Sequence, residues 1–196
     1  MSGPREHKIV ISPIGDIDSE LLREVSKEIE RVFSYETEAD SLLLDIGFAL
    51  DPARTQYHST PILEKLESLA PPHATKVIAI THVDLFIPIL THVYGEAQLN
   101  GKACMVSTYR LRENLSPIKA EEMHRQRAVK EAVHELGHTF GLRHCKDPAC
   151  IMHYCRTVRD VDRKSDQLCR YCKTLLGDET ARLGRTPPID DLKRNG

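Results

Sequence analysis

Residues 134 to 145 read His-Glu-Leu-Gly-His-Thr-Phe-Gly-Leu-Arg-His-Cys, placing three imidazoles, a carboxylate and a turn glycine within one short stretch. Histidines four residues apart on a helix share a face, so His134 and His138 can bind one metal ion from the same side. Glu135 then lies beside that ion. Continuing the helix would carry the chain away, whereas a left-handed Gly141 can end it and swing His144 back as a third ligand. Three neutral nitrogens leave the fourth position of a zinc ion open to water, the arrangement of a catalytic site. His-Glu-x-x-His arises by chance in roughly 4% of chains of this composition, and adding the glycine and third histidine lowers that to the order of one in ten thousand. The competing reading is an amphipathic core helix with hydrogen-bonded histidines.

The six cysteines carry a second pattern. No signal peptide is recognised at the N-terminus, which predicts a reducing, cytoplasmic setting where Cys-x-x-Cys more often means metal or redox chemistry than disulfides. Cys145, Cys150, Cys169 and Cys172 are spaced for a closed tetrahedral thiolate site with a structural role. Disulfides and a redox Cys-x-x-Cys are the alternatives. Cys104 reads as a small apolar strand residue, and Cys155, inside the same loop, competes for a ligand position. Because His144 and Cys145 are consecutive, one metal would clamp the segment that delivers a ligand to the other.

His134-Glu135-x-x-His138-x-x-Gly141-x-x-His144 is the metzincin zinc signature, and Met152 is positioned to be the methionine of the Met-turn that follows it. Cys145 directly after His144, then Cys150, Met152 and a distant Cys169-x-x-Cys172, resembles the archaemetzincin family of metallopeptidases. Tyr94-Gly95-Glu96-Ala97-Gln98-Leu99 leading into Ala103 to Leu111 is similar to that family's segment before the active-site helix.

The resemblance implies an α/β metzincin-like zincin domain with a mixed sheet, a long active-site helix and a small C-terminal lobe pinned by a four-cysteine zinc. It implies two zinc ions per chain, one catalytic and one structural. The expected activity is peptide-bond hydrolysis through a zinc-bound water with Glu135 as general base, on a peptide or protein substrate that the sequence does not name. Ala103 to Leu111 is expected to pair with extended substrate, as a strand above the cleft does in metzincins. Met152-His153-Tyr154 is similar to the Met-turn of astacin-like metzincins, which makes Tyr154 a candidate transition-state stabiliser. A half-buried tyrosine beside the zinc lobe is the simpler reading.

The elements that must position these groups follow from periodicity. Lys8 to Ile14 is β-rich, and Asp16 to Phe33 repeats apolar residues at helical spacing. Ser59-Thr60-Pro61 opens a second helix that runs to Leu69, and Lys76 to Val83 reads as a buried strand, giving the alternation of an α/β layer. Ala103 to Leu111 reads as a further strand. Ser116-Pro117 starts the long helix that carries the histidines to the Gly141 stop, with a break near the polar Arg125–Arg127 left open. Secondary structure is expected to be sparse from Cys145 onward, as in a metal-pinned lobe.

One domain suits 196 residues. We divide it into an upper α/β part over 1–141, a zinc-bound lobe over 142–185 and a tail over 186–196. A net charge of −2 and a pI near 6.5 argue against nucleic-acid or anionic-membrane binding driven by overall charge. Val77 to Tyr94, the longest apolar candidate, is interrupted by His82, Asp84, Pro88 and His92, so no membrane span is expected. Nothing in the patterning asks for more than a monomer. His82, Asp84, His92 and Glu96 lack a compact ligand spacing and read as satisfied or surface groups.

Two rival functions remain. A zinc amidohydrolase or deacylase on small amides would need the same water and glutamate. A binding module with a vestigial site would use Arg156, Arg159, Arg163, Lys164, Arg170 and Lys173, a charge partly cancelled by Asp160, Asp162 and Asp166.

Overall fold

A computed structural model describes residues 7–115, 118 and 120–184. The start at Ser116-Pro117 and the tail over 186–196 lie outside the described residues.

Strand β1 (Lys8–Ile14) sits between β2 (Thr37–Ala39) and β5 (Ala74–Thr81), and β5 pairs with β8 (Ala103–Ser107), all in parallel. The last strand, β7 (Gly95–Ala97), runs antiparallel to β8, so the five-stranded sheet is mixed, in the order β2-β1-β5-β8-β7. A smaller sheet joins β3 (Leu50–Asp51), β4 (Gln56–His58) and β6 (Leu85–Phe86).

The alternation of side chains along each central strand fills a core on each face. Ile9, Ile11, Ile78, Ile80, Cys104 and Val106 point toward helices α1 (Ser19–Phe33) and α3 (Ala120–Thr139). Val10, Ile14, Val77, Ala79, Ala103 and Met105 point the other way, into the cluster that holds Ile62, Leu63 and Leu66 of helix α2 (Ser59–Leu69). Cys104 is thus a buried core residue of a central strand. Helix α1 buries Leu21, Val25, Ile29 and Phe33 at four-residue spacing, starts where Asp18 accepts the Glu20 N–H, and stops at a left-handed Ser34.

Helix α3 is continuous through Arg125–Arg127: the Arg127 guanidinium is buried, held by the Asp162 carboxylate at 2.7 and 2.8 Å and by the Leu111 and Glu113 carbonyls. A polar run here is an inward salt bridge rather than a helix breaker.

Two expectations need correction. The segment after Cys145 is not sparse in structure: it forms α4 (Val158–Arg163) and α5 (Arg170–Arg182), and Met152, Val158, Val161 and Leu176 join the same apolar cluster as the sheet. The Ala103 to Leu111 strand stops at Ser107, and it has no free edge because β5 and β7 flank it. The free edge belongs to β7. Ser107 N–H donates to the Tyr94 carbonyl (2.7 Å) and Gln98 N–H to that of Ala103 (3.1 Å), so Tyr94, Glu96 and Gln98 face the ladder. By the alternation of antiparallel pairing, the N–H and C=O groups of Gly95 and Ala97 face outward.

Candidate active site

His134 and His138 extend from the last turns of α3, where both ring orientations are fixed by backbone. His134 Nδ1 lies 2.9 Å from the Ile151 carbonyl and His138 Nδ1 lies 2.7 Å from that of Leu142. A carbonyl only accepts, so each Nδ1 carries the proton and each Nε2 presents a lone pair. Those two lone pairs face each other 3.2 Å apart, an arrangement that a shared cation relieves. The His144 ring stands 4.9 Å from that of His138 and 5.3 Å from that of His134, and a ligand nitrogen from each of the three lies within 4.8 Å of the others.

The return of His144 depends on how α3 ends. Gly141 has a φ of 81°, its N–H donates to the His138 carbonyl (2.9 Å) and Leu142 N–H donates to that of Gly137 (3.1 Å), a Schellman closure. Lys76, reaching from β5, donates to the Thr139 carbonyl at 2.7 Å and places a cation at the negative end of the helix. Met152 is fully buried and pressed on Gly137, in the helical turn between His134 and His138, where a Cβ would stand 2.6 Å from its sulfur.

Burial favours the neutral imidazole throughout: it lowers His134 well below its usual value, His138 to about 4 and His144 in the same direction. A lowered pKa favours the deprotonated ring as the pH falls, so protons compete less with metal here than at ordinary imidazoles. Three ordinary imidazoles would weaken metal binding about 30-fold between pH 7 and pH 6. At the three-histidine site we expect less than about threefold, read by cobalt titration at the two pH values.

Glu135 is buried, and its carboxyl is pushed well above the usual carboxylate range by burial and by the charges of Glu131 and Glu96. It lies under β7, where a Cβ on Gly95 would come within 2.5 Å of its Cγ.

Sequence reasoning did not anticipate the neighbouring ion pair. Lys164 Nζ lies 2.7 Å from the Glu131 carboxylate, both side chains buried, and 3.4 Å from His134 Nδ1. Burial disfavours the ammonium, but Glu131, Cys155 and Glu135 together outweigh it and raise the Lys164 pKa. Glu131 was accessible to reasoning, since it shares a helix face with His134 and Glu135. Lys164 was not, because its partner is distant in sequence. Its burial also removes it from the basic surface that a nucleic-acid-binding lobe would need.

The four thiols of Cys145, Cys150, Cys169 and Cys172 also lie within 4.8 Å of one another, and none forms a disulfide. Cys169 precedes α5 and Cys172 lies in its first turn, and burial pushes the thiols of Cys172 and Cys150 up. At Cys169 burial is outweighed by the Cys172 N–H and neighbouring thiols, which lowers its pKa. Cys155 stands outside this cluster, its thiol 3.5 Å from the His153 carbonyl. The two groups share a brace: Cys145 N–H donates to the Met152 carbonyl (2.8 Å) and His153 Nδ1 donates to that of Cys145 (2.9 Å). Imidazole and thiolate donors in threes and fours are the sets that suit zinc.

The model of Peptidase family M54 matches residues 2–178. The chain belongs to that family. It is 36% identical over 170 residues to the archaemetzincin of Halobacterium salinarum, covering 85% of this chain and 97% of the relative. It is 36% identical over 174 residues to that of Methanocaldococcus jannaschii, covering 87% and 93%. The crystal structure of the Methanopyrus kandleri archaemetzincin superposes with a TM-score of 0.76 at 30% identity, covering 92% of this chain and 97% of that one. The Archaeoglobus fulgidus archaemetzincin, complexed with malonate, gives 0.71 at 33% identity, covering 86% and 99%. Membership in M54 makes this chain a zinc metallopeptidase of the archaemetzincin kind, as its residues led us to expect.

The other polar groups near the cleft are satisfied. Asp84 takes a two-pronged bond from Arg110 at 2.7 Å on each oxygen, and Glu96 accepts from Ser59 and Thr60. Tyr154 is 44% exposed, its ring 4.9 Å from that of His144. It is more open than the half-buried packing residue we expected. Among the described residues no helix is long and apolar enough to cross a membrane.

Proposed function

We propose that this chain is a metzincin-type peptidase that hydrolyses peptide bonds, with a catalytic zinc on His134, His138 and His144 and a structural zinc on Cys145, Cys150, Cys169 and Cys172. The observation that carries the reading is the convergence of one ring nitrogen from each of three histidines, the Glu135 carboxyl and the open β7 edge. Zinc, when bound, supplies Lewis-acid polarisation of the scissile carbonyl and brings the pKa of water toward about 7.

The chain's own groups do the rest. An extended peptide pairs with the outward N–H and C=O groups of Gly95 and Ala97, which lays its backbone across the histidines. Glu135 takes a proton from the attacking water and returns it to the departing amine nitrogen, and its burial tunes it for both directions of transfer. Met152 and the Ile151 and Leu142 carbonyls keep the rings in place. The backbone edge favours peptides over small amides, which offer nothing for it to pair with.

A mixed-length peptide library, incubated with zinc-loaded protein and with its Glu135→Ala variant and read by mass spectrometry, tests the reading. Cleavage by the wild type alone supports it, and the cut positions separate end-trimming from internal cleavage. No cleavage by either form, with zinc bound in both, would overturn it.

Two further outcomes arise from the lobe. Cys169→Ser should weaken zinc binding at the three-histidine site about tenfold or more, because Cys145 anchors the strand that delivers His144. Unchanged affinity there would separate the two centres. Tyr154 lies close enough to His144 to be considered for the oxyanion, yet among the described residues none hydrogen-bonds its hydroxyl. We therefore expect Tyr154→Phe to keep kcat within about twofold, and a loss of tenfold or more would give the phenol a catalytic role.

A further inference from the structure

Strand β7 has a weak claim to its place. It is three residues long, bonded along one edge only, and the side it turns to α3 carries a hydrogen at Gly95 and a methyl at Ala97. A short edge of this kind frays unless something besides its ladder holds it. Its opposite face supplies the hold. The Glu96 side chain crosses to the N-terminus of α2, where its carboxylate accepts from the Ser59 hydroxyl and from that of Thr60 at 2.9 and 3.1 Å. Ser59 is fully buried, and its single hydroxyl proton is shared between Glu96 and the more distant Phe86 carbonyl at 3.2 Å.

Helix α2 needs this carboxylate in turn. Its cap residue, His58, makes no side-chain capping bond, so a negative group from another element meets the positive end of the helix. A second tie lies further along the helix: Gln98 Nε2 donates to Glu67 at 2.8 Å, while the same amide's oxygen accepts Ala103 N–H. The segment from Glu96 to Gln98 is thus splinted along α2, on the face away from the histidines.

We propose that Glu96 is a positioning residue for substrate, one that sets the height of the β7 edge over the three histidines by locking it to the first turn of α2. This rests on the reading of β7 as the strand that pairs with peptide. Glu96 makes no hydrogen bond to the histidines and reaches Glu135 through its charge alone, the smallest of the influences on that carboxyl, so its loss acts on binding before chemistry. Because Gly95 lies directly against Glu135, a displaced edge also mispositions the peptide relative to its base.

Three variants test this: Glu96→Ala, Glu96→Gln and Ser59→Ala/Thr60→Ala, with an internally quenched peptide that the zinc-loaded wild type cleaves, and with amide hydrogen exchange across residues 94–98. Glu96→Ala should raise KM about tenfold while kcat changes less than about threefold, and the Glu96 and Gln98 amides should exchange faster. Glu96→Gln, which still accepts from a hydroxyl, should recover most of the KM. Removing the two hydroxyls should reproduce Glu96→Ala, and combining all three changes should add little, as for one shared interaction.

Unchanged exchange at Glu96 and Gln98 in Glu96→Ala overturns the anchor whatever the activity. Faster exchange with an unchanged KM overturns its link to substrate. A wild type that cleaves no peptide overturns the peptidase reading instead, and with it the link to substrate, while exchange still decides whether the anchor exists.

Discussion

Glu135→Ala is expected to lower the turnover of zinc-loaded protein by about 10³-fold or more, with zinc still bound at the three-histidine site. The carboxylate is not a ligand by its geometry: the three imidazoles converge without it, and it sits one residue on from His134, under the β7 edge. Its removal takes away the only buried carboxyl, among the described residues, that lies between the histidines and the strand, since Glu131 is committed to Lys164. Alanine leaves a smaller side chain in a closed place, so the fold should tolerate the change better than the chemistry does. Parallel measurement of kcat and of zinc content separates the two. A variant that loses its zinc along with its activity would make Glu135 a structural group.

Gly95→Ala should come next in effect, lowering kcat/KM by about 10²-fold. An added Cβ would stand 2.5 Å from the Met105 carbonyl oxygen and 2.5 Å from Glu135 Cγ. Met105 belongs to a strand bonded on both sides and cannot retreat. The displacement falls on Glu135, on β7, or on both, and each belongs to the proposed machinery. Gly177→Ala supplies the control: its Cβ would meet nothing within 4 Å, it lies inside α5, and alanine is the better helix former. That variant should keep full activity and gain slightly in thermal midpoint. Equal kcat/KM for Gly95→Ala and wild type would mean that the edge and the glutamate do not work together.

What could be read from the chain alone follows from what each residue interacts with. His134, His138, Gly141 and His144 form one local turn of helix and its exit, and local geometry is written in local spacing. Strands β1 and β5 were legible because both of their faces are buried and their composition says so. The free edge was misplaced for the same reason. Ala103 to Ser107 carries the strong β signal because it is central, whereas the edge strand beside it reads Gly-Glu-Ala and owes its extended form to its partner. Helix α5 was missed because its inward side is only Cys172, Leu176 and Thr180, with a glycine between, too narrow a stripe to stand out. Lys164 and Glu131 find each other only through the tertiary fold, and no period in the sequence links them.

The brace between Cys145, Met152 and His153 also sets an order in time. During synthesis the histidines and Glu135 leave the ribosome first, and the groups that fix the last histidine follow: Ile151 and Met152 next, Cys169 and Cys172 only afterwards. Until that lobe has emerged, the nascent chain has the parts of a hydrolase without their arrangement. The proposed catalytic centre is therefore assembled late, after every strand of the sheet has been made.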